Sequence, residues 1–95
     1  MFGYDRLVLS SLATVRESGH EVAAVVFPST RTEARVAEVR DEVESRGHTV
    51  VQQPTGAGVP AFAEQLRGLE AHIGLVWSYP MILPPEVFNA PAMGC

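Results

Sequence analysis

The chain contains no lysine, a single cysteine and no long hydrophobic run, and each of these absences excludes a class of protein. Seven arginines stand against eleven acidic residues, and this net charge of -4 does not favour a nucleic-acid or anionic-membrane partner. One cysteine, Cys95, excludes a disulfide scaffold and a cysteine-based zinc site. No apolar run approaches the ~18–20 residues that span a bilayer. No secretory signal pattern is visible either, so we expect a cytoplasmic location.

The 95 residues have the composition of one globular domain. Hydrophobic residues make up 46% and charged residues 19%, which is too apolar for a disordered chain. A chain of this length buries only about 60–65% of the surface that it exposes when unfolded, so its core is small.

Alternating helix and strand signals begin near the amino terminus. Residues 6–18 show a helical apolar period, with Asp5 at the expected N-cap and Gly19 where a left-handed residue ends a helix. Residues 21–27 then form a nearly continuous apolar run that Pro28 closes. Such a run is typical of a parallel strand covered on both faces.

The same order of signals recurs twice more. Thr30 and Glu33 have the spacing of a capping box, and the helix that follows is expected to end at Gly47. Residues 48–53 predict the next strand. Pro60 suits the first position of a third helix, residues 72–79 predict a last strand, and residues 86–88 predict a helical turn. The expected helix faces carry Val36, Val39, Val43, Phe62, Leu66 and Leu69.

This order predicts an α/β fold, with a parallel sheet and helices on both of its faces. The first strand is the exception, because only Met1 and Phe2 precede the turn at Gly3. We therefore expect an incomplete sheet that lacks most of its first strand. Its neighbours would then have unpaired edges, and we expect the isolated chain to fold poorly or to self-associate.

In open α/β sheets, ligands bind beyond the carboxyl ends of the strands. Three segments should meet there: residues 3–5, 28–32 and 78–83. Individual residues add little to this prediction. The glycines at 56 and 58 form only half of a dinucleotide fingerprint, and Trp77 is expected in the core. Three histidines stand at strand starts, away from the expected pocket, and predict no metal site; they are His20, His48 and His72.

Four motifs together resemble the folate-dependent formyltransferases, and they cover essentially the whole chain. The first is Phe2-Gly3-Tyr4 followed by the Gly-His-Glu-Val strand of residues 19–22. Residues 46–51 (RGHTVV) are similar to the family's second helix exit and third strand. Residues 77–88 (WSYPMILPPEVF) are similar to its fourth strand and Ile-Leu-Pro loop, and residues 91–95 (PAMGC) to the entry of the next strand.

The resemblance implies a Rossmann-like amino-terminal domain, cut at both ends, that binds 10-formyltetrahydrofolate as co-substrate. The family's pterin-lining loop matches Ser78, Tyr79, Pro80, Met81, Ile82 and Leu83. The loop that faces the acceptor amine matches Gly3, Tyr4 and Asp5. The family's catalytic Asn-x-His and later Asp have no counterpart in residues 1–95, so we expect no catalytic residue here and doubtful activity of the isolated chain.

Two acceptors remain open within the family. The loop at residues 82–84 and the Gly94-Cys95 pair are similar to the methionyl-tRNA formyltransferases, whereas an aromatic at Tyr4 is typical of sugar N-formyltransferases. A non-catalytic folate- or nucleotide-binding module and an unrelated α/β domain are the alternatives outside the family.

Overall fold

The computed structural model describes residues 1–31, 33–76, 79, 81 and 83–95. Its helices are α1 (Leu7–Glu17), α2 (Ala34–Ser45), α3 (Val59–Gly68) and the single turn α4 (Pro85–Phe88). Its strands are β1 (Val25–Pro28) and β2 (Val50–Gln53), and a 3₁₀ turn covers Gly56–Gly58. The α/β class and the incomplete Rossmann-like sheet predicted from the sequence are confirmed.

The two strands pair in parallel, with Val25 opposite Val50 and Pro28 opposite Gln53. Phe2 lies on the other side of β1, where single parallel bridges join it to Val26 and to Val76. The order across the sheet is therefore β2, β1, Phe2, Val76. The short amino terminus occupies the place of a central strand, as the sequence predicted, and it pairs with both neighbours.

Helices cover both faces of the sheet, and each face has its own hydrophobic core. On one face the side chains of β1 pack against α1 and α2; the buried residues are Val8, Leu12, Val25, Phe27, Val36, Val39 and Val43. On the other face the sheet packs against α3 and α4; the buried residues are Phe2, Ala24, Val26, Val51, Phe62, Ala63, Leu66 and Val87. The alternation along β1 explains why this strand is apolar at every position.

Both long amino-terminal helices end as predicted, at glycines with positive φ. Gly19 has φ 85° and Gly47 has φ 87°, and the residue after each donates its N–H back into the last helical turn, to Val15 and to Val43 respectively. The first residues of the helices differ more from the prediction than the last ones do. The Asp5 carboxylate accepts the Leu7 N–H at 3.0 Å, so it caps a helix that begins one residue later than expected.

The predicted capping box is wrong. Glu33 itself occupies the N-cap of α2, because the helix begins at Ala34, and its carboxylate pairs with Arg31 at 2.9 Å instead of bonding the helix backbone. The predicted strands are also too long: residues 21–24 and 48–49 lie outside β1 and β2, and of residues 72–76 only Val76 makes a bridge.

Candidate functional site

Two of the three segments that the sequence placed at the carboxyl end of the sheet, residues 3–5 and 28–32, are in contact. The Gly3 N–H donates to the Val26 carbonyl at 3.1 Å, which fixes the start of the 3–5 turn on β1. The guanidinium of Arg31 lies over the ring of Tyr4, 4.8 Å from its centroid, and joins that turn to the loop after β1. Arg31 was not singled out from the sequence, because no short-range pattern shows which ring it will cover.

In the third segment, residues 78–83, Tyr79 contacts the amino-terminal part of the chain. Its ring meets Phe2 edge to face, with centroids 5.5 Å apart and an interplanar angle of 79°. Leu83 and Tyr79 both pack against the core beneath α3 and α4, and Met81 is half-buried. The remaining expected members of this loop, Ser78, Pro80 and Ile82, lie outside the described residues, as do Thr32 and Trp77.

Tyr79 is the most unusual polar group at this end of the sheet. Its hydroxyl oxygen is buried and has no hydrogen-bond partner in the described part of the chain. Burial raises the pKa of Tyr79 well above that of a free phenol, so the group stays neutral at physiological pH. A neutral phenol can donate one hydrogen bond to a polar ligand atom.

The histidines stay at the opposite end. His20 and His72 are exposed, and burial together with the nearby Arg16 and Arg46 lowers the pKa of His48. Within residues 1–31, 33–76, 79, 81 and 83–95, no three His, Cys, Asp or Glu side chains gather as metal ligands. No helix in the part of the chain that the structure describes is long and apolar enough to cross a membrane.

The fold defines the class: a small, incomplete α/β unit of the Rossmann-like type, with a candidate ligand site where the turn at residues 3–5 meets the loop after β1. No protein-family model matches the chain. Curated relatives do match it: proteins named methionyl-tRNA formyltransferase from Lachnospira eligens and from a Methylobacterium species are each 36% identical over 98% of the chain. The one from Alcanivorax borkumensis is 33% identical over the same share.

The chain is thus similar over nearly its whole length to a segment of proteins that carry a formyltransferase name, in agreement with the resemblance of its motifs. The chain spans 29–31% of the length of these three relatives.

Proposed function

We propose that this chain forms the folate-binding part of a 10-formyltetrahydrofolate-dependent formyltransferase, with the amine of methionyl-tRNA as acceptor. The observation that carries the proposal is the match to methionyl-tRNA formyltransferases over 98% of the chain. The contact between Tyr4 and Arg31 after two parallel strand positions supports it, because ligands of open α/β sheets bind at the carboxyl ends of the strands.

In this proposal the folate lies against Tyr79, Met81 and Leu83, together with Ser78, Pro80 and Ile82 of the same loop. Leu83 offers apolar area for the pterin, and the Tyr79 hydroxyl is a neutral donor for a pterin heteroatom. Gly3, Tyr4 and Asp5 face the acceptor. Tyr4 is held in place by Arg31, whose positive charge suits an anionic acceptor such as tRNA.

The isolated chain is expected to bind without turnover. Formyl transfer needs groups that stabilise the oxyanion formed when the amine attacks the formyl carbon. The only asparagine, Asn89, precedes Ala90 and Pro91, so the 95 residues hold no Asn-x-His sequence. No methionyl-tRNA should be formylated by the purified chain, and product formation at a rate above background would contradict this part of the proposal.

A chimera tests the function itself. The matching segment of the Lachnospira eligens relative is replaced by residues 1–95, and formylation of methionyl-tRNA is measured. The chimera should be active, and Tyr79→Phe and Leu83→Ala in it should raise the KM for the folate. Met93→Ala is the matched control, because Met93 is 79% exposed and lies outside the site. A folded but inactive chimera would refute the assignment, and so would a chimera in which Leu83→Ala leaves the KM for the folate unchanged.

A further inference from the structure

Two matching corners lie side by side at the amino ends of β1 and β2. In each corner a helix ends at a glycine of positive φ and a histidine follows. Gly19 and His20 lead from α1 toward β1, and Gly47 and His48 lead from α2 toward β2. Because β1 and β2 pair in parallel, the two corners are neighbours although they are far apart in the chain.

A cleft of about 590 Å³ lies between the two corners, and we call it the Gly-His cleft. It is lined by Arg16, by residues 19–22 and by residues 46–48. Its volume lies in the range of about 300–1,000 Å³ that is typical of small-ligand sites. The turn at residues 3–5 and the loop after β1 lie at the other end of the strands, so the cleft is separate from the candidate folate site.

Basic side chains predominate among the described residues that line the Gly-His cleft. Four of these residues are basic and one is acidic; they are Arg16, His20, Arg46 and His48, and Glu21. The whole chain has the opposite balance, with seven arginines against eleven acidic residues. The cleft therefore gathers cationic groups on a protein of net charge -4.

The two guanidinium groups of the cleft have N–H donors to spare. Arg46 donates from Nε to the Glu42 carboxylate at 3.1 Å, which leaves the N–H groups of its two terminal nitrogens. Arg16 makes no ion pair with any residue that the structure describes. A cation stabilises the carboxyl end of a helix, which explains each arginine singly but not their meeting in one cleft. Guanidinium groups with free donors bind carboxylate or phosphate oxygens.

The electrostatic potential at His48 is positive. Burial lowers the pKa of His48, and the charges of Arg16 and Arg46 lower it further, whereas no carboxylate of the described residues raises it. Both arginines, one from each helix, therefore act on the same ring, and neither Glu21 nor Glu42 offsets them there. The imidazole is largely neutral near pH 7, so it offers one N–H donor without adding charge.

We propose that the Gly-His cleft binds the phosphate group of a small phosphorylated ligand, with Arg16 and Arg46 on its oxygens and His48 as a further donor. A phosphate monoester carries about -1.5 to -2 charges near pH 7, which matches two guanidinium groups. A compact anion suits the site better than a nucleic-acid backbone, because a long polyanion needs cations spread over a wider surface.

Calorimetric titration of the 95-residue chain with pyrophosphate tests the site. Saturable one-to-one binding is expected, and NMR should show a higher pKa of His48 in the complex, because a bound anion favours the imidazolium form. A short RNA oligonucleotide without terminal phosphates is the competing probe. It should bind more weakly than pyrophosphate, and tighter binding of the RNA would overturn the assignment to a small ligand.

Three variants locate the binding on the cleft. Arg16→Gln should weaken pyrophosphate binding about tenfold, as loss of a charge-assisted hydrogen bond implies, and Arg16→Lys should restore part of the affinity. Arg35→Gln is the matched control, because Arg35 is exposed in the first turn of α2, at the end of that helix away from Arg46. Circular dichroism reports whether each variant folds. Equal weakening in the two glutamine variants would indicate a general charge effect and overturn the proposal.

The same titrations are made with the chimera, in which residues of the relative flank residues 1–95. Pyrophosphate should bind there with the same order of affinities among the variants, whether or not the chimera formylates methionyl-tRNA. Failure of the folate assignment and failure of this proposal are therefore distinguishable. Absent saturable binding to the folded chimera, or a His48 pKa that pyrophosphate leaves unchanged, would overturn the proposal.

Discussion

The ring of Phe2 meets the ring of Tyr79 edge to face, with centroids 5.5 Å apart. Phe2 is 3% exposed and stands at the centre of the sheet, whereas Tyr79 belongs to the loop proposed to bind folate. The contact therefore links the shortest element of the fold to its candidate site. Edge-to-face pairs of this kind add about 0.5–1.5 kcal/mol beyond the area they bury.

Tyr79→Phe should raise stability and weaken folate binding together. The substitution keeps the contact with Phe2 and removes a buried hydroxyl that has no hydrogen-bond partner in the described structure. An unsatisfied buried polar group costs about 1–3 kcal/mol, so a gain of up to about that size is expected in the free energy of unfolding. Urea denaturation measures it, with Tyr4→Phe as the control; a loss of stability would show that the hydroxyl is paired in solution.

Gly74→Ala should destabilise the chain through Cys95. A Cβ added at Gly74 would collide with the Cys95 Sγ and crowd its Cβ. An overpacked site of this kind typically costs about 1–3 kcal/mol. Cys95→Ala should restore part of the loss in the double variant, measured as a double-mutant cycle of unfolding free energies.

Gly68→Ala is the matched control for that cycle. Its Cβ would meet nothing within 4 Å, and the residue is the last of α3. Replacing a helical glycine by alanine there should leave stability unchanged or raise it by up to about 1 kcal/mol. Equal effects of the two glycine substitutions would contradict the predicted steric origin.

Acetylation of the amino terminus should stabilise the chain, and more so at low pH. Burial lowers the pKa of the Met1 amine below 8.0, so the fold disfavours its charged form. The stability that this amine contributes is present above its unfolded pKa near 8 and is lost as the pH falls through the folded value. The acetyl group removes the charge and keeps the N–H that donates to Ala24.

The Tm of the acetylated chain should therefore exceed that of the free amine at pH 6, and the difference should shrink by pH 9. Each unit of pKa lowering corresponds to about 1.4 kcal/mol. All other titrating groups are common to the two forms, including the neighbouring Cys95 and the nearby His20, Glu21, Glu70 and His72. If the Tm difference between the acetylated and the free chain did not depend on pH, the Met1 amine would be exposed to solvent in the folded chain.

Arg31→Ala should change stability little and acceptor affinity more. The Arg31 side chain is 32% exposed, and it contacts the Tyr4 ring and the exposed Glu33 carboxylate. A cation–π contact at such a site contributes about 0.5–1 kcal/mol. In the chimera, the KM for methionyl-tRNA should rise while the KM for folate stays constant. Arg40→Ala on α2 is the matched loss of charge, and an identical rise in that variant would indicate a general charge effect.

Local signals identified the elements of this fold better than their ends. The glycines after α1 and α2 were correctly predicted because a left-handed residue is a property of a few neighbouring residues. The capping box at Thr30 and Glu33 failed because Arg31, between them, competes for the Glu33 carboxylate. For the candidate site, the sequence predicted that residues 3–5 and 28–32 meet, but it did not predict the contact between Arg31 and Tyr4 that joins them.

The sequence by itself determined the α/β class, the order of helices and strands, and the family that the motifs resemble. Each of these depends on periodicity, punctuation or matching residues within short stretches of chain. Only the tertiary structure decided the lengths of the strands, because a strand extends only where a neighbouring segment pairs with it, and β1 and β2 pair at four positions. For the same reason only the structure showed that Arg31 covers Tyr4 and that Tyr79 packs on Phe2, because each contact joins residues that are far apart in the chain.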